Sequence, residues 1–322
     1  MCNSVGVALC GGSCVSTDSD PAHCGGCNRA CATGEACAAG ACIAVCQIDA
    51  RQVAAGTVNA ANSCEQCTPA TSATTWTQRA DGTPCNPGQV CSAGVCSPKC
   101  FIDGVVYAAG VPNPANACET CVPATSTTQW TARSSVPLLA GGDNITAQGW
   151  TAVAQAPNTL TYGEDFVRLA TSTTSGARTS GQLLISRANA VDGTKPFKLR
   201  VTVQVESVNP HNQFDSGAAI LGSFTPPAGN STDRSQMIYL DSAAIGWADD
   251  TQSAPFVVTS GAYHVYELAV DAAKVATVSI DGVAKLTRNN FTTNGTIAIG
   301  DQTNDPNVDG AVRIKSVERL CP

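Results

Sequence analysis

The stretch FKLRVTVQVESV at positions 197–208 alternates apolar and polar side chains from Phe197 to Glu206. Successive side chains of a strand point to opposite faces, so this pattern predicts a strand with one buried and one wet face. The same period of two returns in SGAAILGSF, SQMIYL, YHVYELAVD, KVATVSIDG, VAKLT, GTIAIG and GAVRIKSVERL, with Gly, Asn, Asp and Pro between them. About a dozen strands and no helix are expected from residue 136 to the end. Antiparallel strands in that number predict a two-sheet jelly-roll sandwich over 136–322.

Before residue 135 the alternation disappears and cysteine takes its place. Of the 18 cysteines, 17 lie in the first 121 residues. CATGEACAAGACIAVC (Cys31, Cys37, Cys42, Cys46) repeats as CNPGQVCSAGVCSPKC (Cys85, Cys91, Cys96, Cys100), with every cysteine spacing kept. A longer repeat has a period of 54: the 34 residues from Cys46 and the 34 from Cys100 share 20 identities without a gap. Each copy carries three cysteines, a tryptophan (Trp76, Trp130) and an N-x-x-N turn. This predicts a cysteine-rich module at 1–45, a first repeat at 46–99, and a truncated second repeat at 100–135. Units this small cannot bury a core, so cross-links must replace it. Trp76 and Trp130 are expected at the small apolar centre of each repeat. The fold class is therefore all-β: small disulfide-rich modules, then the sandwich.

Composition sets the compartment. Cysteine at this density persists only where thiols are oxidised, so a secreted or surface-displayed protein is expected. Zinc would need thiolates kept in a reducing cytosol. No signal peptide is visible at the start, which implies either a removed leader or another export route. No apolar run reaches the length of a membrane span. A net charge of −7 with scattered Lys and Arg argues against nucleic acid.

Several segments resemble known families. CGGSCVSTDSDPAHCGGCNRACATGEACAAGAC is similar to the repeats of the plant stigma-specific protein family, whose modules also occur in surface proteins of predatory soil bacteria. DGTPCNPGQVCSAGVC looks like cysteine-rich segments of secreted reprolysin-type metalloproteases, and the 54-residue units look like von Willebrand factor type C modules. YHVYELAVDAAKVATVSIDGVAKL resembles a strand–turn–strand of laminin G-like and other concanavalin-like domains, and GTIAIGDQTNDPNVDGAVRIKSVERL resembles the close of that fold. The resemblance runs from DNITAQGW to the end and implies fold more than function, because such sandwiches serve lectins, adhesion modules and glycan-cleaving enzymes alike.

Candidate chemistry is sparse. Glycan hydrolysis on this fold uses paired carboxylates, typically E-x-D-x-x-E along one strand, and no such run exists. Glu164 and Asp165 are adjacent and would face opposite ways. The three histidines, His23, His211 and His264, sit in no G-x-S-x-G or H-E-x-x-H setting and read as surface or turn residues. No enzyme is expected. GDQTNDPNVDG gathers Asp301, Asn304, Asp305 and Asp309 in one loop, a donor set suited to calcium or, equally, to turns capped by their own side chains. Laminin G-like and pentraxin-like domains often carry calcium, which adds some weight to the first. QMIYLDSAAIGWADDTQ offers Tyr239, Asp241, Trp247, Asp249 and Asp250 as aromatic and acidic contacts for a sugar; core packing of the two rings is the competing reading.

The expected protein is a non-catalytic stalk and sandwich that binds a glycan or an extracellular protein. The alternatives are a self-associating subunit of a filament or coat, and a glycan-cleaving enzyme with carboxylates from separate strands. Cys321 stands alone at the end of a cysteine-free region. In concanavalin-like sandwiches the first and last strands are neighbours, so Cys321 should return to the second repeat, which lacks the fourth cysteine of the first. Its expected partner is one of Cys100, Cys118 and Cys121. Cys121 is favoured, just as Cys67 would pair with Cys85.

Overall fold

The computed structural model describes residues 2, 4–154, 158–171, 182–225, 234–303, 305 and 307–322. The chain divides into two compact units, Met1–Ala132 and Arg133–Pro322. Both are all-β.

The first unit is a string of short hairpins. Glu35–Ala38 pairs with Ala41–Ile48, and Gln89–Ser92 with Val95–Ser97. Their two-residue turns, Ala39-Gly40 and Ala93-Gly94, hold positive φ at both positions, the backbone twist that a tight hairpin needs. The N-x-x-N turns are built identically in the two repeats. Asn59 Oδ1 accepts the Ala61 N–H and its Nδ2 donates to Glu65; Asn113 does the same with Ala115 and Glu119. An Asn side chain closing a turn on the backbone two residues on explains why the motif was duplicated with the fold.

The bridges follow the duplication. Cys31–Cys42 is repeated as Cys85–Cys96, and Cys46–Cys67 as Cys100–Cys121. Two pairings expected from sequence are corrected. Cys67 is bonded to Cys46 and not to Cys85, and Cys121 is bonded to Cys100 and not to Cys321. The reason is packing. Cys46 and Cys67 form a buried cluster with Ile48, flanked by Val53 and Trp76; Cys100, Cys121 and Ile102 repeat it beside Tyr107 and Trp130. The bridge is thus part of each repeat's centre, where both tryptophans also sit. The cysteine reaching forward from the first repeat is Cys64, bonded to Cys91. Its counterpart in the second repeat is Cys118. Cys118 and Cys321 are both disulfide-bonded, and no cysteine is free.

The second unit is a sandwich of two antiparallel sheets. One runs, in spatial order, Thr159–Tyr162, Val167–Ala170, Gly310–Leu320, Phe197–Val208, His264–Val270, Ala276–Ile280 and Val283–Arg288. The entering strand Ser135–Ala140 pairs with the C-terminal half of Gly310–Leu320, and the Cys321 N–H donates to the Ser134 carbonyl at 2.9 Å, so first and last strands are neighbours. The other sheet runs Thr151–Ala154, Leu183–Arg187, Ile297–Asp301, Ala219–Leu221, Met237–Leu240, Ala244–Trp247 and Ser253–Pro255. Leu199, Val201, Val203 and Val205 face inward from the first sheet, and Ile238, Leu240, Ile245, Trp247, Ile297 and Ile299 from the second.

The outer faces differ. That of the first sheet is wet and carries ion pairs: Arg168 and Arg313 on Glu206, and Arg200 on Glu267. That of the second is buried, with Leu184, Ala219, Leu221, Phe224, Met237, Ala248 and Ala298 forming a separate apolar cluster. The strands Met237–Leu240 and Ile297–Asp301 are consequently buried along their whole length. This second covered face is what places Tyr239 and its neighbours.

Candidate functional site

Tyr239 lies on the same side of its strand as Met237, so its ring turns to the outer face of the second sheet. Gly246, opposite it in the next strand, leaves room for the ring; a Cβ there would come within 2.5 Å of it. His211, from the loop after Phe197–Val208, covers the other side. Its ring stacks on Tyr239 with centroids 3.6 Å apart and planes 18° from parallel.

The imidazole is held at both ends. Nδ1 lies 2.9 Å from Asp241 Oδ2 and Nε2 lies 2.8 Å from Asp250 Oδ1, and the His211 backbone N–H also donates to Asp241. Burial alone would lower the pKa of this group, but the hydrogen bonds and charges of Asp241 and Asp250 outweigh it and raise the pKa above the ordinary histidine value. A histidine with acceptors on both nitrogens is stable as an imidazolium. The structure therefore brings Tyr239, Asp241 and Asp250 together around His211, which its local sequence marks only as a surface or turn histidine. Asp241 and Asp250 lie 30 and 39 positions beyond His211, and no local signal links them.

Trp247 and Asp249 belong to a second cluster. Trp247 is fully buried, its Nε1–H donates to the Thr287 carbonyl, and the Arg288 guanidinium lies 4.8 Å from its ring centroid. Arg288 also pairs with Asp249 and donates to Thr251 Oγ1 at 2.9 Å. Burial would raise the Asp249 pKa, but Arg288 and Thr251 outweigh it and hold the carboxyl below its ordinary range. The expectation that Tyr239 and Trp247 present faces to a sugar is corrected. Tyr239 is 3 % exposed and Trp247 0 %, and their ring faces are taken by His211 and Arg288.

Beside this cluster, Thr251, Gln252, Thr287, Arg288 and Asn289 line an open cleft of about 400 Å³. Gln252 Oε1 accepts the Thr287 N–H at 2.7 Å, which fixes the amide in the wall of the cleft. Asp250 at the neighbouring turn is half exposed.

The acidic loop 301–309 is organised differently. Asp301 is buried; its Oδ2 accepts Thr171 Oγ1–H at 2.5 Å and its Oδ1 accepts the Thr303 N–H. Burial pushes its pKa up to about 8, and the charges of Asp309 and Asp215 push the same way. Asp305 Oδ1 accepts from the Asn307 N–H and side-chain amide, and Oδ2 from Asn212. Asn304 lies outside the described residues. The oxygens of Asp301 and Asp305 are thus spent on protein donors, the turn-capping use of such residues. Among the described residues, the groups of three potential ligands within 4.8 Å of one another are Cys24, Cys31 and Cys42, and Cys64, Cys85 and Cys91. All six are in disulfides. As they are arranged, Asp301 and Asp305 cap turns and do not converge on an ion.

Comparison with known proteins touches both ends of the chain. Residues 1–47 match the stigma-specific STIG1-like protein family, a match to less than half of the chain. No curated protein matches. Solved structures with a similar sandwich include a carbohydrate esterase from a Shiga toxin-encoding bacteriophage, 14 % identical, over 58 % of this chain and 98 % of that one, with a TM-score of 0.40. The carbohydrate recognition domain of Emp47p is 10 % identical over 53 % of this chain and 88 % of its own, with a TM-score of 0.36. The exoplasmic domain of VIP36, in a form bound to calcium and mannose, is 12 % identical over 53 % and 82 %, with a TM-score of 0.38. Likeness at this level carries no statement about what the present chain binds.

Proposed function

We propose that this is a secreted binding protein whose sandwich recognises a glycan at the polar cleft beside Asp250. One observation carries the reading: the cleft lined by Thr251, Gln252, Thr287, Arg288 and Asn289 is open, polar and large enough for one or two sugar rings. Sugar hydroxyls need donors and acceptors together. The Asn289 side-chain amide at the cleft supplies both, its NH2 donating and its oxygen accepting, and the Gln252 amide lines the same wall. The site is rigid because Arg288 is fixed by Asp249, Thr251 and the Trp247 face, so little ordering is lost on binding. The disulfides support an oxidising, extracellular setting. No described helix is long and apolar enough to cross a membrane. Calcium forms no part of this reading, because Asp301 and Asp305 already spend their oxygens on protein donors.

The test is a glycan array probed with the full chain and with Asn289→Ala and Gln252→Ala variants. Binding by the wild type to a defined set of glycans, weakened about tenfold or more in either variant, is expected. Array binding that both variants retain in full would move the site elsewhere. No binding to any glycan, with capture of a protein partner that Asn289→Ala weakens, would replace the ligand class.

A further inference from the structure

Of the two histidines in the sandwich, His264 is the one free to act as a base. His211 has a carboxylate on each nitrogen, so neither ring nitrogen can accept a proton from a third group. His264, at the start of its strand, has one carboxylate and one hydroxyl. Nδ1 lies 2.7 Å from Asp281 Oδ2, and Nε2 lies 2.7 Å from Ser260 Oγ. With Nδ1–H donating to Asp281, the lone pair sits on Nε2, where it accepts the Ser260 hydroxyl proton.

The geometry points to a Ser260–His264–Asp281 hydrolytic triad that cleaves short O-acyl esters projecting from a large substrate. Such a triad is recognised by the roles and distances of its members and not by their order along the chain. Every link is held by the fold. Asp281 sits in the Asp-Gly turn at φ +49°, accepts the Val265 N–H on its other oxygen at 2.9 Å, and so aims Oδ2 at the ring. The edge of Phe256 packs on the imidazole with centroids 4.8 Å apart. The Gly261 carbonyl, next to the serine, accepts from Gln204 Nε2 at 2.7 Å, which pins the nucleophile loop to the first sheet. Among the described residues nothing accepts from the Gly261 N–H, a backbone donor directly after the nucleophile, one of the positions triads use for an oxyanion.

Ser260 is exposed and the His264 side chain is 16 % exposed. An exposed nucleophile suits an ester carried on a polymer better than a small molecule that must be enclosed. The Phe256 ring offers an apolar rest for a short acyl chain, and the Lys285 ammonium, 5.7 Å from that ring's centroid, offers a cation to the polar alcohol side. Esters are favoured over amides because an alkoxide leaves with less help than an amine.

The chemistry balances without a cofactor. Ser260 Oγ adds to the ester carbonyl carbon as its proton passes to His264 Nε2, and the carbonyl π pair moves to oxygen. That pair returns, the ester C–O bond breaks, and the departing alcohol takes the proton from Nε2. Water then adds to the acyl carbon, giving a proton to Nε2. The acyl–Oγ bond breaks, Ser260 recovers the proton, and the carboxylic acid is released.

The test uses the full chain with p-nitrophenyl acetate and with an O-acetylated polysaccharide, and in parallel with a fluorophosphonate that traps activated serines. Wild type is expected to release nitrophenolate and acetate and to carry one adduct, located at Ser260 by mass spectrometry. Ser260→Ala, a change at an exposed position, should lose about 10³-fold or more in turnover and all of the adduct. Asp281→Asn should lose at least about 10²-fold while keeping the turn, because Asn tolerates positive φ. Turnover in Ser260→Ala equal to wild type, or no turnover and no adduct in the wild type, overturns the triad and leaves a hydrogen-bonded turn.

Discussion

The two units solve the same problem by opposite means. The sandwich excludes water between two sheets, with Leu199, Val201, Val203, Ile238, Ile245, Trp247 and their neighbours in one continuous core. The N-terminal unit has only small clusters, such as Cys46, Cys67 and Ile48, with Trp76 at their side, and its bridges carry the rest. In the first unit the cysteines are the core; in the second they are absent from it. Stability should therefore be lost through different chemistry in each.

Reduction separates them most sharply. A native bridge in a small domain typically contributes about 2–5 kcal/mol. With eight assigned bridges all within residues 2–121, reductant should unfold that unit completely. The sandwich should keep its near-ultraviolet dichroism and its protease resistance. A single cooperative loss of both units would erase the distinction. Peptide mapping before reduction should return these bridges with Cys67 on Cys46, and no free thiol at Cys118 or Cys321.

Matched substitutions come next. Trp247→Ala empties a fully buried site and should cost the sandwich about 3–5 kcal/mol, read as a fall in its melting temperature. Trp130→Ala removes a partly buried ring packed 4.6 Å from Tyr107 against Cys100–Cys121. About 1–2 kcal/mol is expected there, since the bridge still holds the repeat. Equal losses would mean that the repeats rest on apolar burial after all.

Acidity should act on the sandwich through two groups, His211 and Asp301. The folded pKa of His211 is raised, so its contribution is complete below the unfolded value of 6.5 and is lost as pH rises through the folded value. Asp301 is also raised, from 3.8 to about 8, so the folded state holds a proton that the unfolded state has released. Both shifts make the sandwich less stable as pH climbs, Asp301 from about 4 to about 8 and His211 upward from 6.5. His211→Gln should flatten the upper part of that profile and Asp301→Asn the stretch from 4 to 8, each measured by thermal melts across pH. A profile that rises over this range would reverse the sign of both.

The smallest effect concerns calcium. With the oxygens of Asp301 and Asp305 accepting from Thr171, Thr303, Asn307 and Asn212, melts in calcium and in chelator should coincide. A higher melting temperature in calcium would show that the ion displaces those donors, by mass action on the folded state.

Local pattern and composition determined much of this protein. The alternation of 197–208 fixed a strand and its buried face, because a period of two leaves no other way to cover the apolar set. The duplication fixed two copies of one module, and the Asp281-Gly282 pair fixed a hairpin turn, because both residues there adopt positive φ. Cysteine density fixed the means of holding the N-terminal unit. Only the tertiary structure decided which cysteines meet, that Tyr239 and Trp247 are covered, and that His211 lies between Asp241 and Asp250. It also decided that His264 lies between Ser260 and Asp281. Those outcomes depend on strand register and on the paths of loops that bring together residues tens of positions apart. Hydrophobic periodicity records which face of a strand is buried, and it holds no information about which loop will cross that face.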